Sequence, residues 1–238
     1  MRIIVTLSYD GTLYFGSQIQ KETSLTIFGQ LEKVLLKLGI KSKVVASGRT
    51  DKGVHATGQV CHMDLPEFWK DLLKLKSVLN QMLPKSIYIK NIQRTNNDFH
   101  ARYSAKKRVY RYIISTSTPN PFTQNYITFL KEIDLKTIQK NIKLFKGEHD
   151  FRYFMKTGSE INSTTRIVYK AFAYKHKNYI ILNFEANGFL RSQIRLMVAA
   201  LLDFTLHDIE AKLSCTDNKK LKPAPANGLY LAKIKYLR

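Results

Sequence analysis

Residues 168–185 read VYKAFAYKHKNYIILNFE. Two runs, Val168 to Tyr174 and Tyr179 to Glu185, are rich in β-branched and aromatic residues and flank a short polar turn around His176 to Asn178. That is the pattern of a β-hairpin, and it decides the fold class. A doubly wound parallel sheet needs a helix between most of its strands, and a hairpin supplies none. The expectation is an α+β fold with a largely antiparallel sheet.

The same rhythm extends outward in both directions. Ile3 to Leu7 reads as a buried strand. Ile27, Leu31, Val34, Leu35 and Leu38 recur at helical spacing, with Gly39 just past the end as a C-cap. Val44 to Ala46 and Gln59 to Met63 read as strands. Pro66 is expected to open a helix, with Asp64 as its cap and Pro84 beyond its end. Ile87 to Ile92 and Lys107 to Ser115 are strand-like, the latter with Tyr110, Tyr112 and Ile114 on one face. Leu135, Ile138, Ile142 and Phe145 mark a helix between Asp134 and Gly147. Leu190 to Leu202 reads as helical, and Leu229 to Tyr236 as a last strand. The boundary between two domains is expected near residue 104, giving 1–104 and 105–238.

Charge narrows the partner. The 238 residues carry 39 Lys and Arg against 18 Asp and Glu, a formal net charge of +21. A protein this basic meets a polyanion, nucleic acid first and an anionic membrane surface second. The longest apolar run, Leu196 to Leu202, is seven residues, far short of the roughly 20 a membrane-spanning helix needs. The two cysteines, Cys61 and Cys215, form no CxxC pair and no zinc spacing. They read as free thiols of a reducing cytosol, a single long-range disulfide being the alternative. No HExxH, Walker loop, GxGxxG or GxSxG motif occurs.

The segment with the densest chemistry is SGRTDKGVHA, residues 47–56. It joins two strands, its glycines permit tight turning, and it gathers Arg49, Thr50, Asp51, Lys52 and His55 in one connection. Taken alone it is also compatible with a polar loop whose Asp caps its own backbone. Tyr9-Asp10-Gly11-Thr12, with Tyr14, Gly16 and Gln18, is a second candidate. A third runs from Phe99-His100-Ala101-Arg102-Tyr103 into Lys106, Lys107, Arg108, Tyr110, Arg111 and Tyr112. Cations alternating with rings suit nucleic acid, and an amphipathic strand with core-facing tyrosines is the competing reading. Ala186-Asn187-Gly188-Phe189-Leu190, followed by Arg191 and Arg195, is the fourth.

In order along the chain, YDGT with its downstream Gly and Gln (9–18), GRTDKGVHATGQV (48–60), FHARYSAKKRVYRY (99–112), GEHDFRYF (147–154), ANGFL with Arg195 (186–195) and PAPANGLYL (223–231) resemble the tRNA pseudouridine synthase A family. The resemblance implies the pseudouridine synthase fold: two similar α/β subdomains, a largely antiparallel mixed sheet flanked by helices, and a central basic cleft. It implies isomerisation of uridine to pseudouridine at positions 38, 39 and 40 of the tRNA anticodon stem-loop. It also implies a cytoplasmic homodimer with tRNA across both subunits, no metal and no cofactor.

By the same resemblance Asp51 is the catalytic carboxylate, either bonding to the sugar or removing a sugar proton. Tyr110 lies against the uracil and takes the C5 proton. Arg195 pairs with the carboxylate. Arg49 enters the helix as the target base leaves it, and Leu231 lines the base pocket. Lys106, Lys107, Arg108 and Arg111 are the expected RNA-binding cations. Lys52, Leu196 and Ala199 depart from the family pattern, which has Ala at the first and Asn or Met, then Gly, at the others.

Overall fold

The computed structural model describes residues 1–156, 158 and 162–236. The chain divides into two compact units: Met1–Lys106 together with the chain from Leu231 onward, and Lys107–Tyr230.

In the first unit, β1 (Arg2–Tyr9) alternates strictly, burying Ile3, Val5, Leu7 and Tyr9. It lies between two antiparallel partners, β3 (His55–Asp64) and β4 (Ile87–Arg94). A two-residue strand, β2 (Val45–Ala46), pairs with β3 opposite His62 and Cys61. The terminal strand β10 (Leu229–Tyr236) lies on the other side of β3, so the order is β4-β1-β3-β10. Helix α1 (Ile27–Lys37) starts where the Thr26 side chain accepts the Gly29 N–H, and it ends at Gly39 with φ +74°. It buries Ile27, Phe28, Leu31, Val34 and Leu35.

Helix α2 (Leu72–Met82) begins later than Pro66 suggests. The Asp71 carboxylate accepts the Lys74 N–H and fixes the start there, because an orphan N–H of the first turn needs an acceptor. Pro66 closes only a turn, with Trp69 N–H donating to its carbonyl, and Asp64 is paired with Arg2 at 2.9 Å instead of capping a helix. α2 is tied to β4 by Asn80, whose side-chain amide bonds both the N–H and the C=O of Ile89.

In the second unit the order is β5 (Ala105–Ser115), β9 (Tyr179–Ala186), β8 (Thr165–His176) and β7 (Gly147–Asp150). All three contacts are antiparallel, and short β6 (Thr128–Phe129) adds to β5 in parallel. β8 and β9 form the expected hairpin, with His176 opposite Tyr179 and Lys177 at φ +53° in the turn. The helix read over 135–145 is α3 (Leu135–Asn141) running into a 3-10 turn, Ile142–Phe145. Asp134 caps it by accepting the Thr137 N–H. Helix α4 is Gln193–Asp203, three residues later than the apolar pattern starts, because the Gln193 side chain turns back to accept the Leu190 N–H. Helix α5 (Leu206–Leu213) was not anticipated, although its Thr205/Asp208 capping box is a sequence-level start signal. No helix among the described residues is long and apolar enough to cross a membrane. Cys61 and Cys215 are both free.

The GEHDFRYF segment contributes two phenylalanines to the core. Phe151 and Phe154 are fully buried, and Phe154 packs edge-on against Phe145 with ring centroids 5.4 Å apart. Phe154→Ala is expected to lower the unfolding free energy by about 3–5 kcal/mol. Chemical denaturation checks it; a loss below about 1 kcal/mol would show that the ring is not a core element.

Candidate active site

β1 ends at Tyr9 and β3 begins at His55, and the two are antiparallel with Tyr9 opposite Ala56. The connections leaving β1 and entering β3 therefore lie at one end of the first unit's sheet. They are the YDGT and GRTD segments, and they are bonded together atom by atom.

Ser17 and Thr50 exchange bonds: Thr50 N–H donates to Ser17 Oγ at 2.8 Å, and Ser17 N–H donates to the Thr50 carbonyl at 3.1 Å. Both residues are buried. Thr50 Oγ1 also shares a 2.8 Å hydrogen bond with the Tyr9 hydroxyl. Gln59, on β3 and fully buried, spans the loop base. Its Nε2 donates to the Gly48 carbonyl at 2.9 Å and to Tyr9 Oη at 3.4 Å, while its Oε1 accepts from Ser47 Oγ at 2.8 Å. Two glycines permit the approach. At Gly11 a Cβ would lie 2.1 Å from the Val54 carbonyl oxygen, and Gly16, at φ +98°, would place one 2.8 Å from the Thr50 carbonyl. The Gly11 N–H points at His55 Nδ1, 3.1 Å away, and the Asp10 carboxylate is 3.2 Å from the same nitrogen. Asp10 Oδ1 already accepts from the Thr12 N–H and hydroxyl, so the Gly11 amide is the better claimant and Nδ1 is its acceptor.

This frame fixes the backbone on both sides of Asp51, and the residue is half-buried. Arg49 and Lys52 are exposed, and the Lys52 ammonium lies 4.1 Å from the centre of the Phe15 ring. Leu231, on β10, is fully buried.

The second unit converges in the same manner. Tyr110, on β5 opposite Phe184, is 9% exposed and meets Phe189 edge-on at 5.4 Å. The loop carrying Phe189 is anchored through Asn187. Its N–H and side-chain oxygen both bond the Ile167 backbone, and its carbonyl accepts from Arg108 Nη1 at 2.6 Å. On α4, Arg195 Nε donates to the Ala224 carbonyl at 2.6 Å, and the Ala224 N–H returns a bond to the Arg195 carbonyl. The Tyr112 hydroxyl donates to the next carbonyl, Pro225, and contacts Thr128 Oγ1. Burial pushes the Tyr112 phenol up to about 12, with the Thr128 hydrogen bond and the nearby Arg195 charge opposing. Segments 108–112, 186–190, Arg195 and 223–228 are therefore gathered within this unit. Leu196 and Ala199 are buried positions of α4.

The four expected RNA-binding cations differ in their surroundings. Lys106 and Arg111 are exposed. Lys107 stands 3.5 Å from Glu185 and 4.5 Å from the Tyr169 ring centre, and Arg108 holds Asn187. Tyr110 and Tyr112 are buried rather than open stacking surfaces. Asp51, Arg49 and Leu231 belong to the first unit, and Tyr110 and Arg195 to the second. Sequence reading alone passed over Ser17 and Gln59. Both fall inside the quoted motifs, but nothing local shows that they reach across to another loop.

Ser17→Ala would leave the Thr50 N–H buried without its acceptor, and is expected to cost about 1–3 kcal/mol on chemical denaturation. A cost near zero would show that the pair does not hold the loop. Burial also pushes the Tyr9 phenol up to about 12, against hydrogen bonds from Thr50 and Gln59. An unfolded tyrosine ionises near 10. The contribution of Tyr9 is then complete below about pH 10 and is lost as pH rises through about 12. Unfolding free energy should fall over that window, and less steeply in Tyr9→Phe; identical slopes would contradict the burial account.

The chain matches the family described as tRNA pseudouridine synthase over residues 6–104 and 142–237. A curated relative from Wolinella succinogenes, named tRNA pseudouridine synthase A, is 38% identical over 239 residues, covering 98% of this chain and 94% of the relative. One of the same name from Campylobacter jejuni is 37% identical over 248 residues, covering 99% and 100%. Among solved structures, a chain of a Cbf5-Nop10-Gar1 complex aligns with a TM-score of 0.39 at 11% identity, over 82% of this chain and 43% of that one. On the extent of the family match and of its curated relatives, the chain belongs to the tRNA pseudouridine synthases, a family of isomerases.

Proposed function

We infer that this protein converts uridine to pseudouridine in tRNA, at positions 38, 39 and 40 of the anticodon stem-loop. It acts in the cytoplasm as a homodimer, with the unit of Met1–Lys106 and the chain from Leu231 onward carrying the catalytic carboxylate and Lys107–Tyr230 the tyrosine and arginine. The observation that carries the reading is the frame around Asp51: a half-buried aspartate on a backbone fixed by Ser17, Tyr9 and Gln59.

The reaction breaks C1′–N1, turns the uracil and forms C1′–C5. The C5 hydrogen leaves as a proton and N1 gains one, so atoms and electrons balance within the nucleotide and no redox partner is consumed. Cleavage builds positive charge at C1′, and a fixed carboxylate stabilises it. A glycosidase uses a second carboxyl group to protonate its leaving group. Uracil leaves as a stabilised anion and is retained, so one carboxylate is enough. In this reading Asp51 faces C1′, Tyr110 takes the C5 proton, and Arg195 is the guanidinium that the resemblance assigns to the carboxylate. A paired, stacked uridine must first be extruded, at a cost of roughly a few kcal/mol. Arg49, exposed beside Asp51, fills the space left, and Leu231 lines the base pocket. Lys106, Lys107, Arg108 and Arg111 supply positive charge toward the phosphates.

Asp51→Asn and Asp51→Ala are expected to abolish pseudouridine formation on unmodified tRNA while leaving tRNA affinity within about threefold, since a single removed carboxylate adds no phosphate contact. Mapping modified uridines by mass spectrometry beside a binding titration checks both. Turnover by either variant at the wild-type rate would end the proposal.

A further inference from the structure

Tyr103 is 75% exposed, which is unusual for an aromatic side chain whose backbone is held this tightly. The loop from Phe99 to Ser104 is locked from four directions. His100 Nδ1 accepts the N–H groups of both Arg102 and Tyr103, at 3.2 Å each. His100 and Ser104 exchange bonds, N–H to Oγ at 3.1 Å and N–H to carbonyl at 2.9 Å. Ala101 is fully buried, its N–H donating to His62 Nδ1 and its carbonyl accepting from Tyr236 Oη. Phe99 packs on Tyr236 with centroids 5.0 Å apart. The Tyr103 ring then stacks on His100, centroids 4.3 Å apart and planes 28° from parallel, and the Arg102 guanidinium lies 5.7 Å from the Tyr103 ring centre.

A fold that needed this ring would bury it. Here the anchoring bonds bury Ala101 and His62 and hold the ring in water, braced by a second ring and next to a guanidinium. Three residues on, Lys106 is exposed as well. A rigid aromatic face beside cations, on a chain of net charge +21, fits an unpaired base or the exposed end of a base stack with its phosphates.

We propose that Tyr103, braced by His100 and flanked by Arg102, is a stacking site for an RNA base outside the reacting site. The proposal rests on the reading that the protein acts on RNA. Its place on the first unit sets its reach. The loop is bonded to His62, seven residues along β3 from His55, where the Asp51 loop enters the strand. At about 3.3 Å per residue that is about 23 Å. The stacked base is therefore a different nucleotide from the one being isomerised, and the contact contributes to holding tRNA rather than to bond cleavage.

The test uses the full-length protein and an unmodified tRNA transcript. Tyr103→Ala and Tyr103→Leu are expected to raise Kd and KM about tenfold, with a smaller change in kcat, because base–aromatic stacking contributes on that scale. Tyr103→Phe, which keeps the ring, restores the affinity. Thermal stability serves as the control: an exposed ring contributes little to it, so a binding loss that tracks a loss of Tm would reduce Tyr103 to a structural role and overturn the proposal. Wild-type affinity in Tyr103→Ala overturns it too. A shift in sedimentation without a change in affinity would make the ring a contact between copies instead. Failure of the functional reading is separately visible: tRNA binding that depends on Tyr103 without any pseudouridine formed would sink that reading and leave the stacking site standing.

Discussion

The reciprocal hydrogen bonds between Ser17 and Thr50 are the constraint on which the proposed role of Asp51 depends. Each contributes on the order of 1 kcal/mol net, and each is costly to lose because the groups are buried. Together they clamp the residue that precedes Asp51 to the connection leaving β1. Tyr9 and Gln59 close the same frame from the sheet side. In the role proposed for Asp51, a carboxylate that must meet one carbon of a flexible polymer needs its own backbone to be still. A displacement of about 1 Å is enough to cost around a hundredfold in rate.

The second unit solves the same problem with different groups. Its loops at 186–190 and 223–228 are irregular, and their carbonyls would otherwise be left to water. Arg108 takes the Asn187 carbonyl, Arg195 takes Ala224, and Tyr112 takes Pro225. Charged and phenolic donors on β5 and α4 thus order both loops, the first of which sets Phe189 against Tyr110. Rigid elements support loops, and the loops present the groups that meet substrate. The Tyr103 loop is held from within as well, with His100 and His62 as the internal acceptors.

Much of the fold was legible because it rests on local signals. The 168–185 hairpin, the alternation in β1 and the spacing in α1 each state their structure within a dozen residues. The start of α2 was misread because Pro66 suits a first turn, whereas the capping carboxylate of Asp71 stands five residues on. α5 passed unnoticed although Thr205 and Asp208 announce it. Around Asp51, the density of polar residues was visible, but the partners that immobilise it were not. Ser17 and Gln59 act across 33 and 11 residues of chain, to Thr50 and to Gly48, and only the β1–β3 pairing brings them there. The basic stretch of β5 shows the same limit. Sequence cannot tell that Lys107 faces Glu185 across a strand while Lys106 faces water.

The central claim is that a held carboxylate breaks and remakes the bond between ribose and uracil, and the hydrogen on uracil C5 reports on it directly. A tRNA transcript carrying tritium at C5 of its uridines should release that tritium to solvent on incubation with this protein, in proportion to the pseudouridine formed. Tight binding of that transcript with all the tritium retained would contradict the account and leave an RNA-binding protein without this chemistry.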